Sequence, residues 1–135
     1  MSSDVHEKRI EIRWRDSDAF GHVNNAVYLT YLEEVRDEWL AGLLDAATVW
    51  AFVLARVAID FRRELVQADD EIVAACRLDR IGRSSVTTRE TLRVAGDGAL
   101  AAESESVLVA RDRESGASRP LTDAERAAFE GERSG

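Results

Sequence analysis

The chain has 135 residues, with 18 Lys and Arg against 26 Asp and Glu, and 45% of it is hydrophobic. This is the size of one domain, spanning 1–135, which buries over ~65% of its unfolded surface without needing disulfides or a structural metal; whole-chain disorder is excluded. A formal charge of -8 argues against partners held by bulk electrostatics, such as duplex nucleic acid or an anionic membrane, so an anionic ligand must be bound locally.

The single cysteine, Cys76, has no internal partner, and with only His6 and His22 beside it there is no metal-ligand spacing. The uncharged stretch from Ala46 to Ala55 is about half of the ~20 residues a membrane span needs. The first residues carry Asp4, Glu7, Lys8, Arg9 and Glu11 rather than an apolar signal core. The expectation is a cytoplasmic protein without metal or redox cofactor.

In chain order, a short first strand is predicted from about Glu7 to Trp14. The principal helix follows, with Tyr28, Leu29, Leu32, Val35, Trp39, Leu40, Leu43 and Leu44 at spacings of three and four. Asn24 or Asn25 supplies its N-cap. A second strand runs through roughly Phe52 to Glu64, where Val57, Ile59 and Phe61 alternate with Arg56, Ala58, Asp60 and Arg62. Three more strands of period two follow as a meander: Ile72 to Leu78, about Ser85 to Val94, and Leu100 to Arg111. Their turns lie at Arg80-Ile81-Gly82-Arg83 and Gly96-Asp97-Gly98. Thr122-Asp123-Ala124-Glu125 is a capping box for a short C-terminal helix, and about 1–5 and 131–135 are expected to fray. One long helix against an antiparallel sheet of about five strands is an α+β layer architecture. Two positions stand out: Cys76 reads as a small core residue, and Glu90 shares a face with Val86 and Leu92, which marks a buried polar partner or a misassigned face.

The chemistry-bearing residues concentrate in Arg13-Trp14-Arg15-Asp16-Ser17-Asp18-Ala19-Phe20-Gly21-His22-Val23-Asn24-Asn25-Ala26-Val27-Tyr28-Leu29. Turns and caps use Asp, Asn and Gly for structural reasons too. The order Asp-x-Asp-x-x-Gly-His-Val-Asn-Asn-x-x-Tyr-Leu, followed by Tyr31-Leu32-Glu33-Glu34-Val35-Arg36, resembles the signature of the 4-hydroxybenzoyl-CoA thioesterase family of hotdog-fold proteins. The runs Ala55 to Arg63 and Arg80 to Ser85 extend the resemblance to about Pro120.

The resemblance implies an acyl-CoA thioesterase. Asp18 takes the place of the family's nucleophile or general base, and the Asn25 backbone N–H the place where the thioester carbonyl is polarised. A helix N-terminus has unpaired N–H groups and partial positive charge suited to an oxyanion. A thiolate leaves readily, so no strong general acid is required. His22, Asn24, Tyr28 and Glu33 are supporting candidates, and Asp16 is read as a loop brace. For the CoA phosphates the local candidates are Arg62, Arg63, Arg80, Arg83 and Ser84, against the alternative of a solvated surface. The resemblance also implies a homodimer or homotetramer, in which the strand after the long helix is a sheet edge that pairs with its copy. Trp50 and Phe52 line an acyl pocket or belong to the core. Gly82-Arg83-Ser84-Ser85-Val86 lacks a nucleophile elbow, which removes a serine-hydrolase reading. The rival functions are a carrier-protein thioesterase, a non-catalytic acyl-binding or regulatory domain, and a hydratase of related fold.

Overall fold

The computed structural model describes residues 5–134. Five strands form one antiparallel sheet in the order β1-β3-β4-β5-β2: β1 (His6–Glu11), β2 (Phe52–Phe61), β3 (Glu71–Ile81), β4 (Ser85–Val94) and β5 (Leu100–Ala110). The long helix α1 (Asn25–Leu43) lies on one face, a single turn α2 (Ala46–Val49) follows it, and α3 (Asp123–Ser134) closes the chain. The expected α+β architecture is present.

Period two decides which face of the sheet is covered. Ile72, Ala74, Cys76 and Leu78 of β3, then Val86, Thr88, Glu90, Leu92 and Val94 of β4, are buried, as are Ala102, Ser104, Ser106, Leu108 and Ala110 of β5. The helix presents Tyr28, Tyr31, Leu32, Val35, Arg36, Trp39 and Leu40 to that face. α1 packs chiefly against β3, β1 and β4. Phe129 of α3 completes the core between Trp39, stacked at 6.0 Å, and Phe52, edge-on at 5.8 Å. The Thr122 capping box forms as expected: Glu125 N–H donates to Thr122 Oγ1 at 3.1 Å and Thr122 N–H to Glu125 Oε1 at 2.8 Å. The opposite face of the sheet carries ion pairs, among them Arg56 and Arg89 on Glu105, each at 3.0 Å. Exposed pairs of this kind add little stability.

β2 is an edge strand, paired with β5 alone. Its register shifts between Leu54 and Arg56, leaving Ala55 without a partner. The bulge puts Phe52 and Leu54 on the same helix-side face as Val57, Ile59 and Phe61.

Several boundaries differ from the sequence reading. β3 continues past Leu78 to Ile81 across a register shift, so Arg80 and Ile81 pair with Thr87 and Val86 and the turn narrows to residues 82–84. β1 ends at Glu11, and Trp14–Asp16 form a 3-10 turn, closed by Asp16 N–H on the Arg13 carbonyl at 3.0 Å and by Arg13 N–H on Asp16 Oδ2 at 2.9 Å. β2 ends at Phe61 rather than Glu64 because Arg62 and Arg63 N–H both turn onto the Ala101 carbonyl. α3 continues through residues 131–134, whereas the expected fraying of residues 1–4 and 135 lies outside the described residues.

Candidate active site

The segment between β1 and α1 folds back on itself as a small hairpin. Ser17 and Val23 form a β-bridge, Asp18 N–H donates to the His22 carbonyl at 2.8 Å, and Asn24 N–H donates to the Asp16 carbonyl at 3.0 Å. The turn at its tip needs Gly21, whose φ is +84° with open space around an added Cβ, so the requirement is one of backbone conformation rather than room. Asp18 Oδ1 accepts from Phe20 N–H at 2.9 Å, which orients the carboxylate within the turn. The hairpin thus returns residues 16–18 alongside residues 22–24, immediately before the helix.

Asn24 is the N-cap. Its Oδ1 accepts from Ala26 N–H at 2.8 Å, and its carbonyl accepts from Val27 N–H at 2.8 Å. The Asn25 N–H has no acceptor among the described residues. A charged or polarised oxygen therefore finds an unpaired donor and the positive end of a 19-residue helix at this point.

Asp16 is buried and braces the loop. Its Oδ2 accepts from Tyr31 Oη at 2.6 Å and from Arg13 N–H at 2.9 Å. Burial works against the carboxylate, but these hydrogen bonds and the Arg13 charge hold its pKa below the ordinary 3.8. Tyr31 moves the other way, raised by burial and by Asp16. Tyr28 is also committed: its hydroxyl donates to the Arg63 carbonyl and accepts from Leu65 N–H, both at 2.9 Å. His22 Nε2 lies 3.3 Å from Glu64 Oε2. Glu33 is exposed on α1, away from the cap.

The five CoA candidates fall into two groups that one chain does not bring together. Arg62 and Arg63 lie beside Ala101 at one end of β5, whereas the Ser84 carbonyl accepts from Ala110 N–H at the other end. Nine residues of strand at ~3.4 Å each separate the groups by roughly 30 Å. Arg62 is paired with Glu103 at 3.0 Å and Arg63 with Asp69 at 3.3 Å. Arg80 and Arg83 are exposed at the β3–β4 turn, and no ion pair engages either side chain among the described residues. The sequence alone could not sort these arginines, because their separation depends on strand order.

Between α1 and β2 runs a groove with a larger chamber of about 350 Å³, lined in part by Trp50, Phe52 and Leu54, and a smaller one of about 200 Å³ reaching Val57. Phe52 belongs to both core and groove, and Trp50 stands 75% exposed at the groove's end. Arg36, which the sequence places on the solvated face of the helix beside Glu33, instead forms part of the wall of both chambers. Its signal was present: it sits four residues from both Leu32 and Leu40, inside the apolar stripe. Glu90, the anomaly on β4, is its buried partner. Among the described residues no three His, Cys, Asp or Glu side chains gather as metal ligands, and no helix is long and apolar enough to cross a membrane.

Residues 12–129 match the profile of the thioesterase-like superfamily. A thioesterase from Thermus thermophilus, solved with coenzyme A and Zn, is 31% identical and superposes with a TM-score of 0.86, over 96% of this chain and 94% of that one. A candidate acyl-CoA thioesterase from Xanthomonas campestris is 34% identical, with a TM-score of 0.71 over 82% and 96% of the two chains. The 1,4-dihydroxy-2-naphthoyl-CoA thioesterase from Synechocystis, at 17% identity and a TM-score of 0.82 over 93% and 96%, shares the fold. No curated protein matches the chain. The match over most of the sequence, together with the helix, the five-stranded sheet and their order, settles the family: the chain belongs to the thioesterase-like superfamily and is a thioester hydrolase on the hotdog fold.

Proposed function

We propose that the protein hydrolyses acyl-CoA thioesters to a carboxylic acid and free CoA, within the 4-hydroxybenzoyl-CoA thioesterase branch of the superfamily. The observation that supports this reading is the 16–24 hairpin, which returns the Asp18 backbone alongside His22, three residues before an Asn25 N–H that has no acceptor among the described residues. Asp18 attacks the thioester carbon or draws a proton from the attacking water, and the Asn25 N–H receives the developing oxyanion. Asn24 holds the helix start, while Asp16, Tyr28 and His22 fix the loop.

The working unit is a homodimer, or a tetramer built from two such dimers, joined through the β2 edges. An unpaired edge strand with Leu54 and Phe61 each 44% exposed favours a partner. Antiparallel pairing of two such edges carries Arg62 and Arg63 of one copy to the end of the joined sheet where the other copy has Arg80, Arg83 and Ser84. The likeness to a thioesterase solved with coenzyme A supports a CoA carrier.

The test is thiol release from a panel of acyl-CoAs. Asp18→Asn should keep its circular dichroism, because the amide oxygen can still accept from Phe20 N–H, and should lose a factor of ~10² to 10⁴ in kcat. Turnover by the variant within a few-fold of wild type removes Asp18 from the mechanism and makes Glu33 the next candidate; binding of acyl-CoA without turnover by wild type would identify a non-catalytic domain.

A further inference from the structure

The cluster around Arg36 is not used by the thioester chemistry above. The Arg36 side chain is 4% exposed. Its Nη1 donates to Ser106 Oγ at 3.2 Å and lies 3.9 Å from Glu90 Oε2. Glu90 accepts from Ser104 Oγ at 2.6 Å, from Ser106 Oγ at 2.8 Å and from the Thr88 hydroxyl. The cluster fits under α1 because the sheet offers small residues there, Cys76, Ser104 and Ser106. A buried ion pair is tolerated only when its remaining donors and acceptors are met. Those of the carboxylate are met. The guanidinium has five N–H donors, and among the described residues only Nη1 has a protein partner. Yet no sealed side-chain nitrogen there lacks a hydrogen bond. Nε and Nη2 therefore open onto the space beside them, and Arg36 borders the α1–β2 groove in both chambers.

We propose that this groove receives the acyl group, and that Arg36 selects acyl chains bearing a neutral oxygen, a hydroxyl or keto group, over plain alkyl chains and over chains ending in a carboxylate. The proposal rests on the thioesterase reading. A plain alkyl chain strips water from Nε and Nη2 and returns no hydrogen bond, whereas an oxygen on the chain accepts from them. A terminal carboxylate gains little, because Glu90 already offsets the guanidinium charge, and it meets Glu33 and Asp37 lining the larger chamber. These two acids, both exposed on α1, disfavour added negative charge: partial desolvation, then the Glu33 charge, raises the Asp37 carboxyl above its usual range against the Arg36 charge. Leu40, Phe52, Leu54 and Leu108 supply the apolar wall for the hydrocarbon.

The test compares eight-carbon substrates by thiol release: octanoyl-CoA, its counterparts hydroxylated at successive carbons, and the dicarboxylic counterpart. In wild type, at least one hydroxylated chain should exceed octanoyl-CoA by about 10- to 100-fold in kcat/KM, with the dicarboxylic chain slowest. The ratio should fall to near one in Arg36→Lys, which keeps the charge but loses the fork, and in Arg36→Met/Glu90→Gln, which strands neither charge. If one variant does not fold, the other carries the test. A wild-type ratio near one, a preference that survives in a folded variant, or fastest turnover of the dicarboxylic chain overturns the proposal. If no acyl-CoA is hydrolysed, the thioesterase reading fails on its own, and calorimetry with octanoate and hydroxyoctanoates then decides: tighter binding of a hydroxylated acid that is lost in the variants supports the role of Arg36, and equal binding refutes it.

Discussion

Replacing Tyr28 by Phe removes one oxygen and tests whether that oxygen is structural or chemical. The side chain is 2% exposed and its ring meets Phe61 edge-on at 5.1 Å, contacts that Phe retains. What is lost is the clamp between the first turn of α1 and the 63–65 backbone. Leu65 is fully buried, so its N–H is left without water or partner, at a cost of about 1–3 kcal/mol. Arg63 is exposed, so its carbonyl can turn to solvent and forfeits only the net bond, about 0.5–1.5 kcal/mol. The sum, about 1.5–4.5 kcal/mol, corresponds to a fall in Tm of roughly 10 °C for a domain of this size. Urea and thermal denaturation measure the first effect. Turnover well below the variant's Tm measures the second, and kcat should stay within a few-fold, because the donor and the acceptor of the hydroxyl both point at backbone. An unchanged Tm together with a ~100-fold loss of kcat would refute the clamp and make the hydroxyl a group that acts on substrate.

Replacing Arg80 and Arg83 together by Ala should raise KM for acyl-CoA with kcat nearly unchanged, since remote phosphates bind equally in ground and transition states; a truncated thioester lacking the nucleotide should not distinguish the two proteins. Sedimentation at micromolar concentration should give at least a dimer, and an active monomer would dispose of the shared site. Asp16 and Glu125 are both held below their usual values of 3.8 and 4.5, Asp16 by hydrogen bonds that outweigh burial and Glu125 by Arg119 against the same opposition. When folded they bind protons less readily than the unfolded chain, so the stability they contribute is present above about pH 5 and lost as pH falls toward their folded pKa values. Asp16→Asn should therefore be less stable at pH 7 and show a flatter fall in urea midpoint between about pH 5 and pH 2; parallel curves would count against the brace. Gly21→Ala should cost about 1–2 kcal/mol through its positive φ alone, read as a shift in the same midpoint.

What could be read from the chain was whatever follows from periodicity along one element. Ile72 to Leu78 alternated and were buried in that alternation, and Asn24 and Thr122 capped the helices they preceded. Properties that depend on how elements are arranged were not legible. Ile12 and Trp14 read as strand continuation, but only Ile12 has a buried place to go. α2 is a single turn capped by Asp45 on Thr48, too short for a periodic signal. A charged residue on a helix reads as solvated, and Arg36 is inside only because small side chains on two neighbouring strands make room for it and for Glu90. The Asp18 to Asn25 segment was conspicuous by composition, whereas the grouping of the arginines required knowing that β2 lies beside β5 and ends far from the β3–β4 turn.

The bulge in β2 makes the number of residues in that strand as consequential as their identity. Phe52 and Leu54 reach the helix side from even positions and Val57, Ile59 and Phe61 from odd ones, and the unmatched Ala55 is what reconciles the two phases. Deleting Ala55 would leave Leu54 and Arg56 adjacent, opposite Leu108 and Val107, and keep every apolar residue on the helix side, whereas deleting a paired residue such as Ala58 would turn one part of the strand over and point apolar residues outward. A deletion scan through residues 52–61 should therefore find the loss of Ala55 tolerated and the loss of a paired residue such as Val57, Ala58 or Ile59 not, a pattern that substitutions along β2 would never reveal.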